Sequence, residues 1–235
     1  MKLKPEKFER LVNDKKALES ALEKTRDNYR PYDPGQYLYR ILYEKNREPM
    51  LDVFSDDYLE LVYSTLIAWN MNQRGASLNG FDEFKESIKK SRGGISSLRR
   101  YRIDYLDKDD VKDVLDVADS LFCDLDLVGI SSLTRKKIRS KLVAFSKTMH
   151  FMLPDLIVPI DRTYTLNFFY NNSQLHTDHD PEKNDRNQIK TFNELYDKFW
   201  QLSQKHDLGQ YLDDKWNRNV PKVIDNAIIG SELKD

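Results

Sequence analysis

The side chains best able to do chemistry in this chain converge on one stretch. Val158-Pro159-Ile160-Asp161 delivers a carboxylate from a proline-bounded apolar turn, and two lysines, Lys141 and Lys147, lie upstream on a mostly apolar segment. Proline cannot continue a helix and biases its predecessor toward extended backbone. Pro154 therefore ends the preceding helix, and Pro159 keeps Leu156-Ile157-Val158 extended and buried. Asp161 then stands where a helix N-cap belongs, ahead of Arg162 to Phe169, with oxygens able to accept the free amides of the next turn. On capping alone it is an ordinary N-cap; as chemistry it is a fixed acid that can stabilise developing positive charge. A lysine amine beside it is a nucleophile once burial or neighbouring cations depress its pKa. At about 100° per residue, Lys141 shares a helix face with Lys137 and Thr148, while Lys147 falls on another with Ser140 and His150, so only one of them can face Asp161.

Two further groups have the composition of a nucleic-acid contact. Asn70, Asn72, Gln73 and Arg74 offer donors and acceptors for base edges at the end of an apolar helix, although Asn70 and Gln73 could equally satisfy loose carbonyls there, with Gly75 as the left-handed cap. Arg135, Lys136, Lys137 and Arg139 crowd the first turns of the helix expected from Leu133, where cations oppose the macrodipole unless an anion such as phosphate joins them. A solvated basic face is the plainer alternative. His176-Thr177-Asp178-His179-Asp180 has metal-binding types but sits in the most polar loop, without the rigid convergence a site needs, so no metal is expected. Nucleophile elbows, phosphate loops and glycine-rich dinucleotide turns are absent, and no cofactor is implied.

These residues must be carried by helices. Only 8 Gly in 235 residues, recurrent 3.6-residue patterns and almost no alternating apolar runs predict an all-α chain with strand content near nil. Residues 5–29 read as one charged surface helix, so that 1–30 forms an N-terminal appendage to a single two-lobed domain over 31–235. Ser55 opens a central core helix running to about Arg74; Phe81 to Lys90 and Asp109 to Leu121 are amphipathic. Leu133 to Leu153 reads as the longest well-patterned helix, with the stripe Ile138, Leu142, Phe145, Met149. Residues 171–187 read as a mobile polar loop, followed by helices over 188–208 and from Pro221.

Composition narrows the class. Charged residues make up 33% of the chain with a formal charge of -1, so any nucleic-acid contact must come from local patches. The single Cys123 excludes an internal disulfide, no long apolar run spans a membrane, and the N-terminus lacks a signal-peptide stretch; a cytoplasmic protein is expected.

Taken together, Val158-Pro159-Ile160-Asp161, the upstream lysine and the Ala68 to Arg74 segment resemble the helix-hairpin-helix superfamily of DNA glycosylases, of the endonuclease III and 8-oxoguanine glycosylase type. In that family a V-P-V-D turn carries an essential aspartate about nineteen residues after a catalytic lysine, and a Gln/Asn-rich helix end fills the gap left by a flipped base. The resemblance covers roughly residues 55–170 on two short motifs. It implies DNA as partner, Asp161 and Lys141 as catalytic residues, and base release from a flipped nucleotide. Ser146-Lys147-x-x-His150-Phe151-x-x-Pro154 is also similar to uncharacterised bacterial and archaeal proteins with an S-K-x-L-H-F-x-x-P core. The competing expectation is a non-catalytic helical module that binds nucleic acid or a protein partner.

Overall fold

A computed structural model of the protein describes residues 2–30, 32–71, 77–131, 135–175 and 177–233. Among them the chain is all-helical, with no strand and only two isolated bridges, Leu78 with Val128 and Ile130 with Lys137. No helix among the described residues is long and apolar enough to cross a membrane.

The N-terminal segment is not one surface helix. Asp14 adopts extended backbone and accepts the Lys16 and Ala17 amides, ending α1 (Glu6–Asn13) and starting α2 (Lys15–Asn28). This N-cap geometry breaks a run that charge periodicity reads as continuous. Leu18 and Leu22 are then buried against α11 (Val220–Glu232), so the segment belongs to the core rather than lying on it. The α2–α11 crossing is close: a Cβ on Gly230 would stand 1.8 Å from the Ala21 carbonyl oxygen.

Between these elements the chain builds α3 (Pro34–Asn46), α4 (Asp56–Ala68), α5 (Phe81–Lys90), α6 (Arg92–Leu98) and α7 (Lys108–Asp124). Asp33 and Ser55 cap α3 and α4, and Asp107 with Asp110 forms a reciprocal capping box on α7. The central helix α4 is shorter than its sequence suggests. It closes on a Schellman motif in which the Met71 amide reaches the Leu66 carbonyl and the Asn70 amide that of Ile67, with Asn70 at φ 63°. Asn70 takes the left-handed position that closes this helix, and Gly75 lies outside the described residues.

The helix expected from Leu133 begins only at Leu142, as α8 (Leu142–Met152). Upstream, Ser131 donates to Lys136 and Ile138 to Gly129, so the stretch after Arg135 is irregular and bridged to 129–131 rather than helical. The start of α8 is fixed from outside: Gln188 Oε1 accepts the Lys141 and Leu142 amides at 2.8 and 3.0 Å while its Nε2 donates to the Arg139 carbonyl. Gln188 lies on α10 (Pro181–Lys205), the longest helix among the described residues, whose first two turns occupy half of the expected polar loop. Asp180 accepts the Glu182 and Lys183 amides and Pro181 fills the first turn, which suffices to nucleate helix in a hydrophilic run.

After α8 the chain turns at Leu153 and returns extended to Asp161, then enters a π turn (Arg162–Leu166) and the single turn α9 (Asn167–Tyr170). One continuous apolar core joins Phe8 of α1, Leu59 of α4, Phe145 of α8, Phe199 of α10 and Ile224 of α11. Because the Ala21 carbonyl is backbone and cannot move aside, Gly230→Ala is expected to destabilise by about 3 kcal/mol. Gly93→Ala, with nothing within 4 Å, should be neutral or stabilising by up to about 1 kcal/mol. Chemical denaturation of both variants checks the contrast.

Candidate functional site

Three side chains on successive turns of α8 grip the returning strand. The Ser146 hydroxyl accepts the Ile160 amide at 3.0 Å, Lys147 Nζ lies 3.3 Å from Asp161 Oδ2, and His150 Nδ1 lies 2.7 Å from the Ile157 carbonyl oxygen. They occupy one face because 146, 147 and 150 are helical neighbours. A carbonyl can only accept, so Nδ1 carries the imidazole proton and Nε2 is an acceptor. It takes the Tyr39 hydroxyl proton at 3.0 Å, and the Tyr39 oxygen in turn accepts from Asn219 Nδ2 at 3.0 Å. This buried chain ties α3, α8, the turn and the cap of α11 together. Burial pushes the His150 pKa down to about 3 against the Ile157 hydrogen bond, with the nearby Lys222 charge acting in the same direction as burial.

Asp161 has two different oxygens. Oδ1 accepts the Thr163 and Tyr164 amides at 2.7 and 3.3 Å, the N-cap function read from sequence, while Oδ2 carries the Lys147 contact. Its own amide donates to Thr165 Oγ1, and the Leu166 amide reaches its carbonyl across five residues, closing the π turn. Such turns are concentrated at functional positions in helices. The Asp161 side chain is 34% exposed and that of Lys147 only 9%.

The pair opens on a cavity of about 300 Å³, at the low end for small-molecule sites. Thr25, Asn28 and Tyr29 line it from the end of α2, Asp33 and Gln36 from the start of α3, and Trp69 and Asn70 from the end of α4. Pro159, Asp161 and Tyr164 come from the turn, and Lys222, Asp225 and Ile229 from α11. Trp69 is anchored through its indole N–H to the Gly35 carbonyl at 3.1 Å, and its ring has the Lys222 and Lys147 ammonium groups 5.2 and 5.7 Å from its centroid. The Lys222–Asp225 ion pair, 2.5 Å apart, is buried beside it. Burial works against the Lys222 charge, but the Asp225 carboxylate outweighs it and holds the ammonium above the ordinary lysine range. Burial pushes the Asp225 carboxyl up, partly offset by Lys222.

Of the residues singled out in the sequence, the cavity gathers Asp161 and Asn70. Lys141 is elsewhere: at the mouth of α8 its Nζ pairs with Asp185 of α10 at 2.8 Å and lies over the Phe122 ring. The lysine beside Asp161 is Lys147, because the face of α8 that meets the turn is that of Ser146, Lys147 and His150, and at about 100° per residue Lys141 points away from it. Arg135, Lys136, Lys137 and Arg139 are exposed on the irregular stretch before α8, Lys137 paired with Asp126, and none of them lines the cavity. Asn72, Gln73, Arg74 and His176 lie outside the described residues. No group of acidic, histidine or cysteine side chains among the described residues has the convergence to hold a metal ion. The Lys222–Asp225 pair was not anticipated, although a Lys and an Asp three apart inside the apolar run Val220 to Ile229 are a usable signal.

The chain matches no protein-family model, no curated protein and no solved structure.

His150 gives the site a pH signature. The folded protein keeps the imidazole neutral while the unfolded chain protonates near pH 6.5, so unfolding takes up a proton and stability falls as pH drops from 6.5 toward 3. Between pH 6.5 and 5, before most carboxylates titrate, this amounts to about 2 kcal/mol. Urea melts across that window should show the loss in the wild type and a flatter profile in His150→Gln.

Proposed function

We propose that this protein is a DNA glycosylase-like enzyme: a nucleotide extruded from the duplex enters the cavity and its N-glycosidic bond is broken there. The divided use of Asp161 carries the proposal. A purely structural cap needs only the two amides on Oδ1, yet Oδ2 faces the cavity beside a lysine ammonium, with Tyr29, Trp69 and Tyr164 supplying aromatic wall for a base. The alternative, a helical module that binds nucleic acid or a protein partner without chemistry, accounts for the Oδ1 cap and for the Lys147 ion pair as a structural tie, but not for the opening of both groups onto an aromatic-walled cavity.

The residues have distinct tasks in such a reaction. As the C1′–N bond breaks, its electron pair leaves with the base and positive charge develops on the sugar. Asp161 Oδ2, already fixed by the turn, stabilises that charge without reorganising. The Lys147 ammonium gives a proton to the departing base and, as the free amine, bonds to C1′. Asp161 takes a proton from the resulting secondary ammonium and delivers it to O4′ as the nitrogen lone pair expels that oxygen, which opens the sugar ring and leaves a protonated imine that water hydrolyses to return the lysine. Extrusion costs a few kcal/mol of stacking and pairing, so damaged or mispaired bases enter most readily. Asn70 stands at the rim where a gap-filling contact would be made, and the exposed Arg135, Lys136, Lys137 and Arg139 are available for phosphates.

Borohydride trapping on duplexes carrying a panel of lesions tests this. Wild type and Lys141→Gln should form a covalent adduct and Lys147→Gln should not. Asp161→Asn should lose base release by about a hundredfold or more while stability changes by about 1 kcal/mol, since asparagine is also a good cap. Base release that survives in Lys147→Gln would make water the nucleophile. Absence of release from every lesion would leave the non-catalytic module.

A further inference from the structure

Resting on the proposal of a base-binding cavity, we infer that Lys222 and Asp225 read the edge of the extruded base and select bases that present a carbonyl beside a ring N–H. The Lys222 ammonium also lies over the Trp69 ring and beside the Tyr29 hydroxyl, contacts that support the fold but do not require a buried ion pair. The pair sits in the largely apolar first turns of a helix whose N-terminus is capped by Asn219, and its side chains are 3% and 6% exposed. A buried ion pair is costly to desolvate, and well-packed apolar residues in its place are often neutral or stabilising. Val223, Ile224 and Ala227 around it show that apolar packing is available on this helix. Both charged residues nevertheless line the cavity.

The pair sets a donor beside an acceptor. An ammonium has three N–H groups and a carboxylate only accepts. One Lys222 N–H is used on Asp225 Oδ2, and the Tyr29 hydroxyl lies beside the same ammonium while donating to Asn226. A base edge with C=O next to N–H, as in hypoxanthine, guanine, uracil or thymine, accepts from Lys222 and donates to Asp225. Adenine and cytosine reverse the pattern: their amino group would face the ammonium and their ring nitrogen lone pair the carboxylate. Such a base loses two hydrogen bonds and gains two repulsions, and flipped bases are read through this edge. Mutual attraction favours the charged form of the pair against burial; at Asp225 the Lys147 charge acts in the same sense as Lys222 and the Asp161 charge in the opposite one.

The test compares two duplexes that differ only at one nucleotide, hypoxanthine or adenine, each placed opposite an abasic-site analogue so that neither is paired. A 2′-fluoro sugar at that position blocks cleavage, so affinity alone is read. The wild type should bind the hypoxanthine duplex about tenfold or more tightly, since a site built for one hydrogen-bond pattern rejects its inverse. Lys222→Gln/Asp225→Asn removes both charges together, keeps a hydrogen-bonded pair of amides, and should bring the ratio close to one with the fold intact by circular dichroism. Equal wild-type affinities above those for the same duplex with a second abasic analogue in place of the base, or a preference for adenine, overturn the role of Lys222 and Asp225 while leaving the base-binding cavity standing. Indifference of the wild type to whether any base is present overturns the cavity as a base site, and this inference with it.

Discussion

The geometry of the candidate site depends on the grip of α8 on the chain segment that follows it. Residues 157–161 have no strand to pair with, so their backbone groups need partners from side chains. Ser146 and His150 provide two, and Lys147 holds the carboxylate at the end. The two prolines keep the segment extended, which lets three side chains on one helical face reach it in register. His150 passes the constraint on through Tyr39 to Asn219, so the helix that carries Lys222 and Asp225 is fixed against the same turn. Buried networks of this kind rigidify when every member is satisfied, and each link here has a donor facing an acceptor.

Charge is arranged with equal economy of space. Two lysines, Lys147 and Lys222, and three aspartates, Asp33, Asp161 and Asp225, line the cavity with Trp69, and the Lys222–Asp225 pair is the deeply buried part of that set. The cavity is thus neither a phosphate cradle nor a plain apolar slot. On the proposed reading, its aromatic wall and charged groups would take a flat heterocycle whose edge offers both a donor and an acceptor, with the sugar at the Asp161 end.

The turn was legible in the sequence because prolines and N-caps act over a few residues: Asp161 at the cap, the extended approach and the all-helical class follow from local rules. What was not legible depends on distant partners. Lys141 and Lys147 lie on different helical faces, and only the packing shows that the Ser146, Lys147 and His150 face meets the turn; the start of the helix is likewise set from afar, by Gln188, 46 residues beyond Leu142. The same tertiary cap explains why the basic stretch is not helical. The break at Asp14 comes from a local side-chain cap that the continuous charge pattern of residues 5–29 does not reveal. Lys222 and Asp225 were overlooked because the helix around them reads as core, and nothing local shows that its N-terminal turns face a cavity.

Peptide mapping of the protein after borohydride reduction in the presence of a duplex carrying deoxyinosine tests the central claim most directly. The account predicts a sugar adduct on the peptide containing Lys147, together with free hypoxanthine in solution. An adduct on Lys141, or neither adduct nor free base from that duplex or any other lesion, contradicts it.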